Sequence, residues 1–324
     1  MNTKTFSTWL AGLALAAALN AAAAPGAHEE AITLATPTGS LAGTLMLPTE
    51  PRPVPVVLII AGSGPTDRDG NNRYLAGPNN SLKLLAQALA DAGYASVRYD
   101  KRGIGASLAA GPAEADLRFD GYVNDAAGWL DQLRADPRFT ALVVLGHSEG
   151  SLIGMLAAQK SRVNAYVSLA GIAHSASDIL RIQLAPKLPA ALLAQNEKIL
   201  VALEHGQLVE EVPPALTALY RPSVQPYLIS WFKYLPSKEL ARLGVPVLIV
   251  QGDTDIQVQV SEAEGLKKAL PSATLVVVPG MNHVLKMVAA DMGQQLASYG
   301  DPGLPLSPAL GSAIIAFLRG AHLP

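Results

Sequence analysis

Residues 141–158 of this 324-residue chain read ALVVLGHSEGSLIGMLAA. An apolar, β-branched run comes first, a Gly-x-Ser-x-Gly turn follows, and small residues suited to a helix come last. In a strand, turn and helix of this kind, Ser148 takes a strained backbone that lifts its hydroxyl above the sheet. Gly146 and Gly150 permit the turn, because a Cβ atom at either position would collide with a neighbouring strand or helix. The alternative is a glycine-rich turn whose serine takes no part in chemistry.

The N-terminus has the features of a secretory signal peptide. One lysine precedes an apolar stretch at 9–19, and an alanine run ends in Pro25. The apolar stretch is short for a transmembrane helix, which needs about 20 apolar residues. Since proline directly after a cleavage site is disfavoured, we expect residues 1–23 to be removed. The mature chain is then periplasmic or secreted without stable membrane insertion, and an uncleaved N-terminal anchor is the alternative.

Composition excludes several functional classes. The chain has no cysteine, so it has neither disulfides nor a thiolate nucleophile. A formal net charge of −2 offers no basic face to nucleic acid. The sequence has no His-Glu-x-x-His motif, tight His/Asp cluster or phosphate loop, so we expect no catalytic metal and no cofactor. His147 points away from the nucleophile's face of its strand, so we expect it to pack or to bond the backbone.

Strand and helix signals alternate along the chain, which predicts a mostly parallel, doubly wound α/β sheet. Residues 31–35 and 40–47 read as a hairpin at one antiparallel edge. The elements that follow are a buried strand in 56–62, a helix capped by Ser81 and ended by Gly93, a strand at 94–100, a helix at 122–135 and a strand at 165–170.

Residues 172–243 interrupt this alternation. The β-branched runs stop, and helical segments with scattered prolines take their place. Loops of α/β folds tolerate such growth, so we interpret this segment as a helical cap insertion. The predicted organisation is therefore a first core part at 24–171, the cap at 172–243 and a second core part at 244–324.

Two later strands supply the partners that a serine nucleophile needs, which are a general base and a carboxylate that orients it. Asp255 follows a predicted strand at 247–250, and His283 follows one at 274–278. Since carboxyl ends of parallel strands meet at one edge of a sheet, Ser148, Asp255 and His283 are expected to lie together.

The loop at 61–72, AGSGPTDRDGNN, follows the first buried strand. Its position predicts backbone N–H groups that face the nucleophile. We expect Asp67, Arg68 and Asp69 to hold the loop through ion pairs and an Asx turn. A contact between Arg68 and substrate is the alternative.

The chain is similar to the α/β-hydrolase superfamily over essentially its whole mature length. GHSEG at 146–150, AGSG at 61–64, GDTD at 252–255 and GMNH at 280–283 carry the resemblance, together with an Asp-x-Arg-Gly-x-Gly-x-Ser turn at 100–107. The loop GSGPTDRDGN with GHSEG resembles one group of bacterial serine carboxylesterases that have a helical cap and favour short-chain esters.

This resemblance implies roles for individual residues. They are Ser148 as nucleophile, His283 as base, Asp255 as orienting acid, and the amides of Ser63 and Glu149 as the oxyanion hole. Asp255 is preferred to Asp253 because the family acid occupies the last place of Gly-x-x-Asp, and Asp253 is expected to cap the loop. Ala61 stands where the family usually has histidine, so Gly64 is the alternative to Ser63.

Residues 220–234, YRPSVQPYLISWFKY, concentrate aromatic side chains in the predicted cap. Tyr227 and Trp231 either roof the pocket for the acyl chain or pack the cap onto the core. With Arg68, they are the candidate substrate contacts.

The expected function is an exported serine carboxylesterase that hydrolyses short-chain, small-molecule carboxylic esters through an acyl-enzyme. A peptidase or acyltransferase with the same triad is one alternative, because the motif specifies acyl transfer and not the leaving group. A non-catalytic binding protein with this fold is another.

Overall fold

The computed structural model describes residues 26–49, 53–75, 77–321 and 323. The predicted signal peptide at 1–23 lies outside these residues. One eight-stranded sheet organises the described chain, and its strands run in the spatial order 1-2-4-3-5-6-7-8. In chain order the strands are β1 His28–Thr36, β2 Gly39–Leu47, β3 Val54–Ile60, β4 Ala95–Tyr99, β5 Phe139–His147, β6 Ala165–Leu169, β7 Val247–Gly252 and β8 Thr274–Val278.

The predicted hairpin at the sheet edge is confirmed. β1 and β2 pair antiparallel around a tight turn that closes at Thr36 and Gly39. Gly39 has φ +137°, a conformation that glycine adopts readily. β2 also pairs antiparallel with β4, and every other neighbouring pair in the sheet is parallel. The mostly parallel sheet predicted from the sequence is therefore present.

Helices flank the sheet on both faces. They are α1 Ser81–Asp91, α2 Phe119–Ala135, α3 Glu149–Lys160, α4 Ala176–Leu184, α5 Ala190–Glu204, α6 Thr217–Tyr220, α7 Gln225–Phe232, α8 Pro236–Leu240, α9 Val260–Ala269, α10 Met292–Ser298 and α11 Pro308–Gly320. Alternate residues of β3 enter two separate cores. Val56 and Leu58 join the core that contains α2 and α3, whereas Val57 and Ile59 face α1 and α11.

The start of α1 differs from the prediction. Ser81 is the first helical residue and not the N-cap, which is Asn80 in the left-handed conformation without a side-chain capping bond. The side chain of Asn79 accepts the Ser81 amide at 2.9 Å and supplies the local hydrogen bond instead. The predicted end at Gly93 is confirmed, because Gly93 follows the helix with φ +91°.

Five helices, α4 to α8, lie between β6 and β7, where the sequence predicts a helical cap. The helix α7 packs on α2, and α8 packs on α3 and α9. The elements in this segment are thus helical as expected, and its treatment as a separate cap remains a prediction. Among the described residues, no helix is both long and apolar enough to cross a membrane.

Candidate active site

Ser148 occupies the turn between β5 and α3. Its backbone has φ 55° and ψ −122°, which is uncommon and strained for a residue with a side chain. Two glycines leave room for the turn. A Cβ atom on Gly146 would lie 2.1 Å from the Gly150 carbonyl oxygen, and one on Gly150 would lie 2.3 Å from the Ile60 oxygen. The two glycines therefore permit the corner at Ser148 that the Gly-x-Ser-x-Gly pattern predicts.

Asp255 and His283 form a buried hydrogen-bonded pair. His283 Nδ1 lies 2.7 Å from Asp255 Oδ2. The other carboxylate oxygen of Asp255 accepts the backbone amides of Gln257 at 2.7 Å and Val258 at 2.9 Å. Burial would raise the pKa of Asp255, but the charge of His283 and these hydrogen bonds outweigh it and lower that pKa. The carboxylate therefore stays ionised and orients the imidazole through Nδ1. Within the described residues no hydrogen bond is made to its Nε2 atom, neither by Ser148 nor by another group.

Asp253, the competing candidate for the acid, has a different contact. Its Oδ1 atom accepts the backbone amide of Gly280 at 2.6 Å. This bond joins the turn after β7 to the turn after β8, as expected for a loop cap. Asp255, and not Asp253, contacts His283.

His147 connects the serine turn to the histidine loop. Its Nε2 donates to the His283 backbone carbonyl at 2.9 Å, which is the backbone bond expected for it. Burial, with a contribution from the charge of His283, lowers the pKa of His147 to about 3. His147 is therefore neutral, and its hydrogen bond holds the backbone of His283 against the end of β5, directly before Ser148. The structure thus groups Ser148, Asp255 and His283 at the carboxyl ends of β5, β7 and β8.

The loop after β3 lies against the serine turn. A Cβ atom on Gly62 would approach the Cβ of Ser148 to 3.2 Å, so this backbone contacts the nucleophile closely. Ser63 follows directly, and its carbonyl accepts the Thr66 hydroxyl at 2.8 Å. Within the described residues, neither the Ser63 amide nor the Glu149 amide donates a hydrogen bond. Both amides are therefore free to bind an oxyanion.

The remainder of this loop is held as predicted. Asp67 Oδ1 accepts the amides of Asp69 and Asn71, each at 2.9 Å, in an Asx turn. Arg68 pairs with Asp100 at 2.7 Å, and Asp69 pairs with Arg98 at 2.6 Å. The guanidinium of Arg68 is thus occupied by a buried carboxylate. Arg68 has the structural role, and the predicted substrate contact is not supported.

A cavity of about 330 Å³ opens beside the oxyanion loop and is lined by Gly64, Glu149 and Tyr227 among others. Trp231 is not among its lining residues, so of the two alternatives given for Trp231 the structure favours packing of the cap onto the core. Its indole instead stacks on Phe119, with ring centroids 5.7 Å apart and planes 2° apart. Tyr227 and Trp231 are neighbours on α7, with ring centroids 5.9 Å apart, and only Tyr227 lines the cavity.

Lys101 lies beneath the oxyanion loop, a position that no motif in the sequence predicts. Its Nζ donates to the Gly62 carbonyl at 2.6 Å and pairs with Glu149 Oε1 at 2.9 Å. The hydroxyl of Tyr227 donates to the other oxygen of Glu149 at 2.9 Å. The one signal in the sequence is Glu149 itself, since an acid buried next to the nucleophile needs a cation. Nothing in the sequence identifies which cation.

The chain matches a protein family over part of its length and is similar to a curated esterase. Residues 79–215, less than half of the chain, match the family described as serine aminopeptidase, S33. Esterase EstD of Thermotoga maritima is 27% identical over 248 residues, which are 76% of this chain and 58% of EstD. The matched region thus spans little more than half of that relative.

Solved structures are similar over almost the whole chain. Est1E from Butyrivibrio proteoclasticus has a TM-score of 0.59 at 20% identity, covering 89% of this chain and 99% of Est1E. An esterase domain from a Rhodothermus marinus protein has a TM-score of 0.56 at 17% identity, covering 90% and 99%. Together with the strand order and the Ser148 turn, these similarities establish that this chain has the α/β-hydrolase fold.

Proposed function

We propose that this protein is an exported serine carboxylesterase that hydrolyses short-chain carboxylic esters through an acyl-enzyme intermediate. The observation that carries this proposal is the strained Ser148 turn beside the buried Asp255–His283 hydrogen bond. EstD and Est1E are described as esterases, which supports the choice of ester chemistry.

In the first half of the reaction, Ser148 Oγ attacks the ester carbonyl carbon while His283 Nε2 takes the hydroxyl proton. The carbonyl oxygen becomes an oxyanion, which the amides of Ser63 and Glu149 bind. The C–O bond to the leaving group then breaks, and His283 gives its proton to the departing alcohol. The product is an ester between Ser148 and the acyl group.

Water completes the reaction by the same steps in reverse. His283 removes a proton from water, the hydroxide attacks the acyl carbon, and the same two amides bind the second oxyanion. Cleavage of the bond to Ser148 releases the carboxylic acid, and His283 returns its proton to Oγ. Asp255 stays ionised throughout and stabilises the imidazolium.

The cavity beside Gly64 and Glu149 adjoins the Ser148 turn, although neither Ser148 nor His283 lines it, and it is the candidate space for a small substrate group. Its volume of about 330 Å³ lies at the low end of the range for small-molecule sites, about 300–1,000 Å³. Such a volume suits a short acyl or alcohol group. Est1E has been solved with ferulic acid bound, so a feruloyl ester belongs in the test panel beside acetyl and butyryl esters.

The family description favours one competing function, an aminopeptidase. An aminopeptidase needs a carboxylate that is free to bind the substrate's ammonium group. Glu114 and Glu149 are the acidic residues that line the cavity, and they pair with Arg221 and Lys101. Because both carboxylates are already neutralised, ester hydrolysis is the better proposal.

One experiment separates these functions. The wild type and Ser148→Ala are given p-nitrophenyl acetate, p-nitrophenyl butyrate, a feruloyl ester and aminoacyl-anilides, and both are treated with a fluorophosphonate probe. We expect the wild type to hydrolyse the esters and to be labelled by the probe, and Ser148→Ala to do neither. Faster cleavage of the anilides would identify a peptidase, and an unlabelled wild type would identify a binding protein.

Export rests on the N-terminal sequence alone, because residues 1–23 lie outside the described part of the chain. The test is expression of the full chain in a Gram-negative host, followed by N-terminal sequencing of the protein in the periplasmic and culture fractions. A mature N-terminus near residue 24 is expected. An intact N-terminus in the membrane fraction would instead identify an uncleaved anchor.

A further inference from the structure

We propose that Lys101 is a positioning residue that holds both oxyanion-binding amides of the proposed esterase. The inference rests on the proposed function, and it assigns a task to a buried cation that the triad itself does not use. Lys101 contacts neither Ser148 nor His283 by hydrogen bond within the described residues, so it acts through the backbone around them.

The first contact fixes the Ser63 amide. The carbonyl of Gly62 and the N–H of Ser63 belong to the same planar peptide unit and point in opposite directions across a trans bond. Lys101 Nζ donates to that carbonyl at 2.6 Å. Holding the oxygen from beneath therefore aims the Ser63 N–H toward the opposite side of the peptide. Gly62 lies against Ser148, so this peptide is placed where an oxyanion forms.

The second contact fixes the Glu149 amide. Glu149 is the first residue of α3, and its carboxylate is held by Lys101 at 2.9 Å and by the Tyr227 hydroxyl at 2.9 Å. Restraining this side chain restrains the N-terminus of the helix. One ammonium group therefore joins the two chain segments that supply the two amides.

Because the Lys101–Glu149 ion pair is buried, a gain in folding stability does not explain its presence well. Lys101 is 1% exposed and Glu149 is 5% exposed, and the ammonium lies 5.0 Å from the ring centroid of Tyr122. Removing two charges from water costs free energy that their attraction often only balances, so apolar replacement of a whole buried pair is often neutral. What apolar side chains would not provide is the donor that orients the Gly62 carbonyl.

The test compares Lys101→Met with the double variant Lys101→Met/Glu149→Gln. The single variant leaves a buried carboxylate without its cation, so both its urea midpoint and kcat should fall. The double variant removes that uncompensated charge and should regain the midpoint. Its kcat for p-nitrophenyl acetate should stay about 10²-fold low, the loss typical of one oxyanion donor, with KM within a few-fold of wild type. A purely structural role predicts that kcat recovers with the midpoint.

A transition-state analogue gives a second readout. A trifluoromethyl ketone forms a tetrahedral adduct with the serine, and its oxyanion occupies the same hole. Its Ki in the double variant should rise by the factor by which kcat/KM falls. The matched control is Arg98→Met, which removes another cation, 1% exposed, that holds the same loop through Asp69. Arg98→Met should lower the urea midpoint and leave both Ki and kcat within a few-fold of the wild-type values.

The outcomes also separate this inference from the proposed function. Recovery of kcat in the double variant, or an unchanged Ki, would overturn the positioning role while the esterase stands. A wild-type protein that neither turns over esters nor reacts with fluorophosphonate would overturn both.

Discussion

His147→Gln should reduce the loss of folding stability of this protein in acid. His147 is buried between β5 and the His283 loop, and its neutral ring donates to the His283 carbonyl. Burial lowers its pKa to about 3 in the folded state, whereas the unfolded chain has the ordinary value of about 6.5. Glutamine carries an amide N–H at nearly the same distance from the backbone but does not titrate. The substitution therefore removes the titrating group and keeps the hydrogen-bond donor.

The sign and size follow from proton linkage. Since the folded pKa is lowered, the unfolded state binds the proton more tightly, and stability present above pH 6.5 is lost as the pH falls from 6.5 toward 3. At pH 5 the folded ring is still neutral, so the loss depends on the unfolded pKa alone. One and a half pH units at 1.36 kcal/mol each give about 2 kcal/mol.

The assay is urea unfolding of wild type and variant at pH 7.5 and pH 5.0. The stability lost between these pH values should be about 2 kcal/mol smaller in His147→Gln. Other titrating groups are common to both proteins and cancel in that difference. His205→Gln is the matched control, since His205 is exposed on the protein surface. Equal pH dependence in wild type and His147→Gln would refute the conclusion that His147 is held neutral.

Three further predictions concern turnover and specificity. Ser148→Ala should fold normally and lose about 10⁶-fold in kcat, measured with p-nitrophenyl acetate; residual turnover near wild type would contradict its role. Asp255→Asn should lower kcat about 10⁴-fold, because the imidazole of His283 is then wrongly oriented. Asp253→Asn should mainly lower the urea midpoint, and equal losses of kcat in the two variants would contradict the assignment of Asp255 as the acid. Trp231→Ala should lower the free energy of unfolding by about 3 kcal/mol and leave the dependence of kcat/KM on acyl-chain length unchanged. Val224→Phe should narrow the cavity and exclude butyryl esters. The reverse pattern would place the acyl pocket at Trp231.

Much of the fold could be predicted from local sequence, because the signals are local. Apolar β-branched runs mark strands buried on both faces, and Gly146 is required by its close contacts with Gly150 and Ser151 in the same turn. Gly150 is required by a distant segment, because it lies against the backbone of Ile60. The order of serine, aspartate and histidine could be placed as well, since each follows a strand whose carboxyl end lies at the same sheet edge. The choice between Asp253 and Asp255 came from the family resemblance, and the hydrogen bond to His283 agrees with it.

Local propensity was insufficient where a distant partner decides the outcome. The helix α2 begins at Phe119, three residues before the prediction, because the Ser230 hydroxyl accepts the Phe119 amide at 2.8 Å. The start of α1 depends on Asn79, whose side chain also bonds the Tyr299 carbonyl at 3.2 Å. Such contacts join residues far apart in the chain, so the periodic pattern of hydrophobic residues does not predict them.

The sequence by itself determined the strand and helix alternation, the strained Ser148 turn and the residues able to form a triad. Tertiary structure alone decided which charges meet. Arg68 faces Asp100, Lys101 faces Glu149, and Trp231 stacks on Phe119 at the edge of the core instead of lining the cavity. The physical reason is that hydrophobic patterning reports which side of an element is buried, whereas pairing of a buried charge depends on the three-dimensional path of another segment.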